Sequence, residues 1–376
     1  MDKYLLWLDQ IEGLGAGAKR NLLSAFGSAS DVYRGSEKLL SMILEEKKLG
    51  LFLKARKELD AEALYRYALQ EKISFVCDSD DLFPDKLRQI PDPPFGLYYK
   101  GKLPQEEIPS VAVIGARECS AYGEYVAKEL GKLLGECEVQ VISGMAKGID
   151  GISQQAAMDA GGVSFGILGC GVDICYPKSN RCLYESLIEK GGILSTYPPG
   201  TQPQSRLFPP RNRIVSGLAD VLVVIEARQK SGTYITVEMA LEQGKEIYAV
   251  PGRVTDRLSD GCNKMIKDGA HVFLSPKDFL LDLQELLPFS VLKGKKRKED
   301  GSVNNGDSEE KEDAITRALL DVLDFYPQPV DWLAQQLMQK HGISIKTEEL
   351  ASQLMILCLY GKAVQESAGW FRKSKI

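Results

Sequence analysis

Four short segments of this chain combine glycines, hydroxyls and fixed cations in the manner of a phosphate-binding surface. The first is Ile114-Gly115-Ala116-Arg117, with Ser120-Ala121-Tyr122-Gly123 just behind it. The second, Ser143-Gly144-Met145-Ala146-Lys147-Gly148-Ile149-Asp150, is a glycine-rich turn opening a helix. Here the backbone can approach a ligand closely, N–H groups at the helix start favour anions, and Lys147 adds a full charge. The third, Phe208-Pro209-Pro210-Arg211-Asn212-Arg213, sets two guanidinium groups around an asparagine, which suits forked contacts to phosphate oxygens. The fourth, Ser231-Gly232-Thr233-Tyr234-Ile235-Thr236, is a hydroxyl-rich turn. Each alone is weak, because glycine between a strand and a helix is usually structural. On one rim, the four make a phosphate-binding floor.

Other chemistries find no support. After the first core strand a dinucleotide enzyme would carry Gly-x-Gly-x-x-Gly, and its second strand would end in a ribose-binding acid rather than Ser143-Gly144. Eight cysteines never form Cys-x-x-Cys, which speaks against a zinc ribbon or a disulfide framework and for reduced cytoplasmic thiols. His271 lies in an apolar run and reads as a strand residue; His341 precedes Gly342 at a helix end. Neither neighbours a serine or cysteine motif, so a histidine triad is not expected. Asp150 reads as a helix N-terminal acid, although it and Glu226 are possible rim carboxylates. The net charge of −5 gives no global sign of a polyanion partner. One local sign exists: no Asp or Glu falls from Lys190 to Ala219, while Arg206, Arg211 and Arg213 do. No apolar run is long enough to span a membrane, and the N-terminal residues do not read as a signal peptide.

Elements must position these segments. Apolar runs at 111–114, 139–142, 164–168, 192–195, 221–225, 246–250 and 270–273 read as strands separated by amphipathic helices. That pattern predicts a Rossmann-like, doubly wound parallel sheet whose ligand lies beyond the carboxyl ends of its strands. Residues 73–100 are expected to add a peripheral strand or two, within a domain spanning 71–290. Residues 1–70 read as helices only, with a helix-hairpin-helix-like turn at Gly13-Leu14-Gly15-Ala16-Gly17. Residues 291–312, with a basic run from Lys293 to Lys298, read as a flexible linker. Residues 313–376 predict helices near 313–325, 330–340 and 347–360 and then a hairpin, the order of a winged helix. The third helix carries Glu348 and Glu349 but no Lys or Arg through Leu354, which suits protein contact better than base readout.

Taken in order, the four segments, followed by Ala249-Val250-Pro251-Gly252 and Gly261-Cys262-Asn263, resemble the DNA-processing protein A family (DprA, also called Smf). The resemblance covers about residues 1–290 and extends loosely to the tail. It implies a cytoplasmic bacterial protein; the rim itself offers no poised nucleophile, histidine base or metal cage, so no cofactor, metal or catalytic turnover is expected. Such a protein binds and protects incoming single-stranded DNA, dimerises and helps load a RecA-type recombinase in natural transformation. Carried onto this chain, the DNA-contacting candidates are Arg117, Ser143, Gly144, Lys147, Phe208, Arg211, Asn212, Arg213, Ser231, Gly232 and Thr236. Arg117, Lys147, Arg211 and Arg213 are expected to neutralise phosphates, the two later arginines being replaceable without harm to the fold, and Phe208 to stack on a base. Ala116, Ser120, Gln154 and Cys262 depart from the usual family residues. The rival is a nucleotide phosphoribohydrolase on a related fold. Its glutamate follows the threonine by three residues, whereas Glu238 follows Thr233 by five, a rotation of roughly 200° on a helix.

Overall fold

The computed structural model describes residues 1–287, 307–367 and 369–374, which fall into two compact units: 1–119 with 126–287, and 120–125 with those from 307 on. The first unit is organised by nine strands: β1 Ser74–Cys77, β2 Gly96–Gly101, β3 Ser110–Gly115, β4 Gln140–Ser143, β5 Ser164–Ile167, β6 Gly192–Ser195, β7 Val221–Ile225, β8 Glu246–Ala249 and β9 His271–Val272. Their order across the sheet is β1-β2-β6-β5-β4-β3-β7-β8-β9. All pairings from β6 to β9 are parallel, while β2 runs antiparallel to both β1 and β6. All seven apolar runs became strands, and the two antiparallel strands fall in the expected 73–100, with β2 running one residue past it.

Continuous apolarity follows from burial on both faces. Adjacent residues of one strand feed opposite cores: Ile193 joins a cluster with Met158 and Leu187, whereas Leu194 joins Ile214, Leu222 and Met265. The chain lays β3 to β6 on one side, then crosses back to place β7 against the other side of β3. Strand order therefore reverses between β3 and β7, and that is where an open parallel sheet leaves a crevice.

Six helices occupy residues 3–70, as expected. Their core is continuous with the sheet, since Trp7, Leu22 and Phe52 belong to one cluster with Phe75, Tyr98 and Ile193. Trp7 packs edge-on against Tyr33 and Phe52, at 4.8 and 5.2 Å between ring centroids. Behind the glycine turn, Lys19 is committed to a buried ion pair with Asp9 at 2.7 Å.

The second unit holds helices Asp307–Val322, Val330–His341 and Thr347–Leu359 with strands Gln328–Pro329, Ala363–Ser367 and Trp370–Lys373. Its core is its own, with Leu319, Leu333, Leu337, Leu354 and Phe371 among the buried members. Three helices and a hairpin match the expected order; the short strand at Gln328 is additional. The first helix begins at Asp307, not 313, so residues 307–312 are helical rather than linker. The basic run 293–298 lies outside the described residues. Among those residues no helix is long and apolar enough to cross a membrane, and no His, Cys, Asp or Glu group could hold a metal ion.

Candidate functional site

The carboxyl ends of β3 and β7 are held in unusually close approach. Gly115 pairs with Ile225, and a Cβ on Gly115 would fall 1.8 Å from the Ile225 carbonyl oxygen, so only glycine fits. Beyond this junction opens a cleft of about 850 Å³. Eight of the eleven candidates line it: Arg117, Gly144, Phe208, Arg211, Asn212, Ser231, Gly232 and Thr236. Lys147 lines a smaller cavity of about 240 Å³ that shares Arg117, Gly144, Phe208 and Arg211 with the cleft. Ser143 and Arg213 line neither. The Ser143 hydroxyl is buried and donates to the Val113 carbonyl at 2.6 Å, pinning β4 to β3.

The turn after β4 is held in a costly conformation. Met145 has φ 54° and Gly148 φ 73°, the former uncommon for any residue but glycine. Two side chains lock it. Gln154 is fully buried; its Oε1 accepts from the Met145 N–H at 3.1 Å, while its Nε2 donates to Ser164 Oγ and the Phe165 carbonyl. Asn180 Nδ2 donates to the Met145 and Ala146 carbonyls at 3.0 and 3.1 Å. Lys147, between the locked residues, is exposed.

Under this turn lies a buried pair of charges. Gly144 N–H donates to Asp150 Oδ2 at 3.1 Å, and Arg211 Nη1 donates to the Gly144 carbonyl at 2.8 Å and also to that of Ile167. A side chain at Gly144 has no space, because its Cβ would sit 2.7 Å from both Arg211 Nη2 and Asp150 Oδ2. Burial raises the Asp150 carboxyl above its ordinary range, against the opposing pull of the Arg211 charge. The same burial works against the charge on Arg211, which Asp150 supports. Asp150 does occupy the first helical turn, as expected, but its carboxylate also braces the preceding loop. The expectation that Arg211 is replaceable without harm is corrected: it is 6% exposed and carries two backbone bonds. Arg213 is half-buried and paired with the Asp92 carboxylate, away from the cleft.

The opposite wall is the start of helix Gly232–Glu242, where Ser231 occupies the N-cap position without a side-chain cap bond. Its Oγ is buried and has no hydrogen-bond partner, a state costing about 1–3 kcal/mol until a ligand supplies one. Glu238, the rival enzyme's would-be base, is exposed on this helix and absent from the lining. Glu226, one residue beyond β7, is 2% exposed with φ 55°.

Phe208 sits between walls. Its ring stacks on Tyr176 at 5.7 Å and 25°, and the guanidinium groups of Arg117 and Arg211 lie 5.7 and 5.9 Å from its centroid. Sequence reasoning missed three residues here, Tyr176, Arg228 and Asn180, and noted Gln154 only as a departure from the family pattern. Arg228 is exposed, lines the cleft, and follows β7 by three residues, a position that the carboxyl-end rule could have flagged. Arg117, Lys147 and Arg228 are thus exposed cations around the floor, with Glu118 an exposed acid beside Arg117.

Known proteins are similar to this chain in sequence and fold. The family model for DNA recombination-mediator protein A matches residues 74–284. DNA processing protein DprA of Streptococcus pneumoniae is 42% identical over 207 residues, covering 54% of this chain and 72% of that protein. Its X-ray structure covers 75% of this chain and 98% of its own, with a TM-score of 0.66 and 34% identity. A structure of DNA processing protein A from Helicobacter pylori, described for its single-stranded DNA binding mode, gives a TM-score of 0.52 and 27% identity over 57% of this chain and 96% of its own. The matched residues contain all nine strands and all four motifs, and this chain belongs to the DNA recombination-mediator protein A family, also called DprA or Smf.

Proposed function

We propose that the chain binds single-stranded DNA in this cleft, with little base preference, and passes it as a homodimer to a RecA-type recombinase. One observation carries the reading. A crevice at the β3/β7 reversal brings exposed Arg117 and Arg228, and Lys147 in the adjoining cavity, together with the unpartnered Ser231 hydroxyl. Fixed cations and backbone donors suit a phosphodiester chain and carry no base code. The single-strand binding described for the Helicobacter pylori relative supports the same ligand. Duplex recognition by the second unit is disfavoured because its third helix exposes Glu348 and Glu349 and carries no cation. Hydrolysis is disfavoured because Glu238 is not among the residues that line the cleft.

The test compares single-stranded DNA, duplex and RNA by gel shift across salt concentrations, beside a nucleotide-hydrolysis assay. Single strands should bind tightest, with log K falling by about 0.7 per neutralised phosphate as log salt rises. A flat salt response, or nucleotide turnover, would sink the reading. The mediator role is tested by timing recombinase filament growth on DNA coated with single-strand-binding protein. The lag should shorten with this protein and recover when Arg117 and Lys147 are both alanine; an unchanged lag overturns that part alone.

A further inference from the structure

We propose that the base-stacking platform of this cleft is Tyr176, with Phe208 its support; this rests on the DNA reading above. Four neighbours already enclose Phe208. Tyr176 stacks on its ring, Arg117 and Arg211 lie over it, and Gly169 packs so near that a Cβ there would fall 2.7 Å from Phe208 Cδ1. Tyr176 is 41% exposed and lines both the cleft and the adjoining cavity, so its ring is the more open of the pair to a flat ligand.

The loop carrying Tyr176 is braced along its length. The Cys170 carbonyl accepts from Ser195 Oγ at 2.7 Å and that of Val172 from the Tyr184 hydroxyl at 2.5 Å. The Asp173 carboxylate accepts from the Gly200 N–H and from the Tyr67 hydroxyl, and the Pro177 carbonyl from the Asn180 N–H at 3.0 Å. A ring presented on such a loop loses little freedom when a base covers it. Tyrosine also suits any base, since every base offers a π face. Arg117 and Lys147 share the smaller cavity with Tyr176, so phosphates flanking the stacked base have cations at hand.

The experiment compares a short oligothymidylate with an abasic oligonucleotide of equal length, each titrated against the full chain at several salt concentrations. Wild type should bind the thymidine strand about tenfold tighter, the scale of one stacked base. Tyr176→Phe keeps that ratio. Tyr176→Ala brings it near unity through the thymidine strand alone and leaves the salt slope unchanged. If Tyr176→Ala keeps the ratio, or weakens both ligands equally, the platform lies elsewhere or the ring is only a structural plug. Phe208→Leu, which retains an apolar support, should keep part of the ratio; a ratio lost there but spared in Tyr176→Ala returns the role to Phe208. Wild type binding neither strand overturns the DNA reading itself, and the proposal with it, before any substitution is compared.

Discussion

Arg211 and Arg213 stand two positions apart on one helix and look interchangeable in sequence. Tertiary partners separate them: Arg211 reaches the carbonyl of Ile167, 44 residues away, while Arg213 reaches Asp92, 121 away. Arg211→Ala should destabilise the fold by about 3–5 kcal/mol, because it strands the Asp150 carboxylate and two carbonyls in the interior. Arg213→Ala removes an ion pair whose acid is 81% exposed, so a loss of about 1 kcal/mol or less is expected. Urea unfolding of the two single variants measures the contrast, and equal losses would contradict it. Arg117→Ala and Lys147→Ala, both at exposed positions, should leave stability near wild type. Each should reduce the salt slope for single strands by about 0.7. A slope unchanged in both variants would remove these two cations from the site. Residue types pointed to a cationic rim, but not to which of its cations are exposed and which are committed to the fold.

Strands were legible because apolar runs of four or five residues, set between helices, have few other uses. The loop at 168–177 was not, because its conformation depends on partners from four other segments rather than on periodicity. The left-handed Met145 and Glu226 were equally hidden, since no glycine marks them. Within that loop the Tyr67 hydroxyl donates to Asp173 at 2.9 Å and ties helix Ala61–Gln70 to it. The bond to Asp173, then burial, pushes the Tyr67 hydroxyl up to about 12. The unfolded chain therefore releases this proton first, from its ordinary value near 10. This contribution is intact below pH 10 and declines as pH rises toward 12. Between those limits Tyr67→Phe should lose stability less steeply than wild type. Parallel pH-dependent denaturation curves would show that the bond does not persist in solution.

Every residue lining the cleft falls between 114 and 258, within the first unit. Deleting residues 293–376 should accordingly leave single-strand affinity and its salt slope near those of the full chain, because the proposed phosphate contacts all precede the cut. Mass must be measured alongside, because a lost dimer would weaken binding by another route. A loss beyond tenfold in a protein of unchanged mass would transfer the site to the deleted segment.

The β6-to-β7 crossover has a further consequence, one of timing. One wall of the cleft follows β3, and the other follows β7 more than a hundred residues later, so neither wall alone is a site. A chain emerging from the ribosome will have shown Arg117 and Lys147 to the cytosol long before Ser231 is made. Parallel pairing across such a span forms late, after its loop-closure entropy has been overcome. Nucleic-acid affinity should therefore arise abruptly, once β7 and the helix after it have docked. Until then the nascent chain carries only one wall of the crevice.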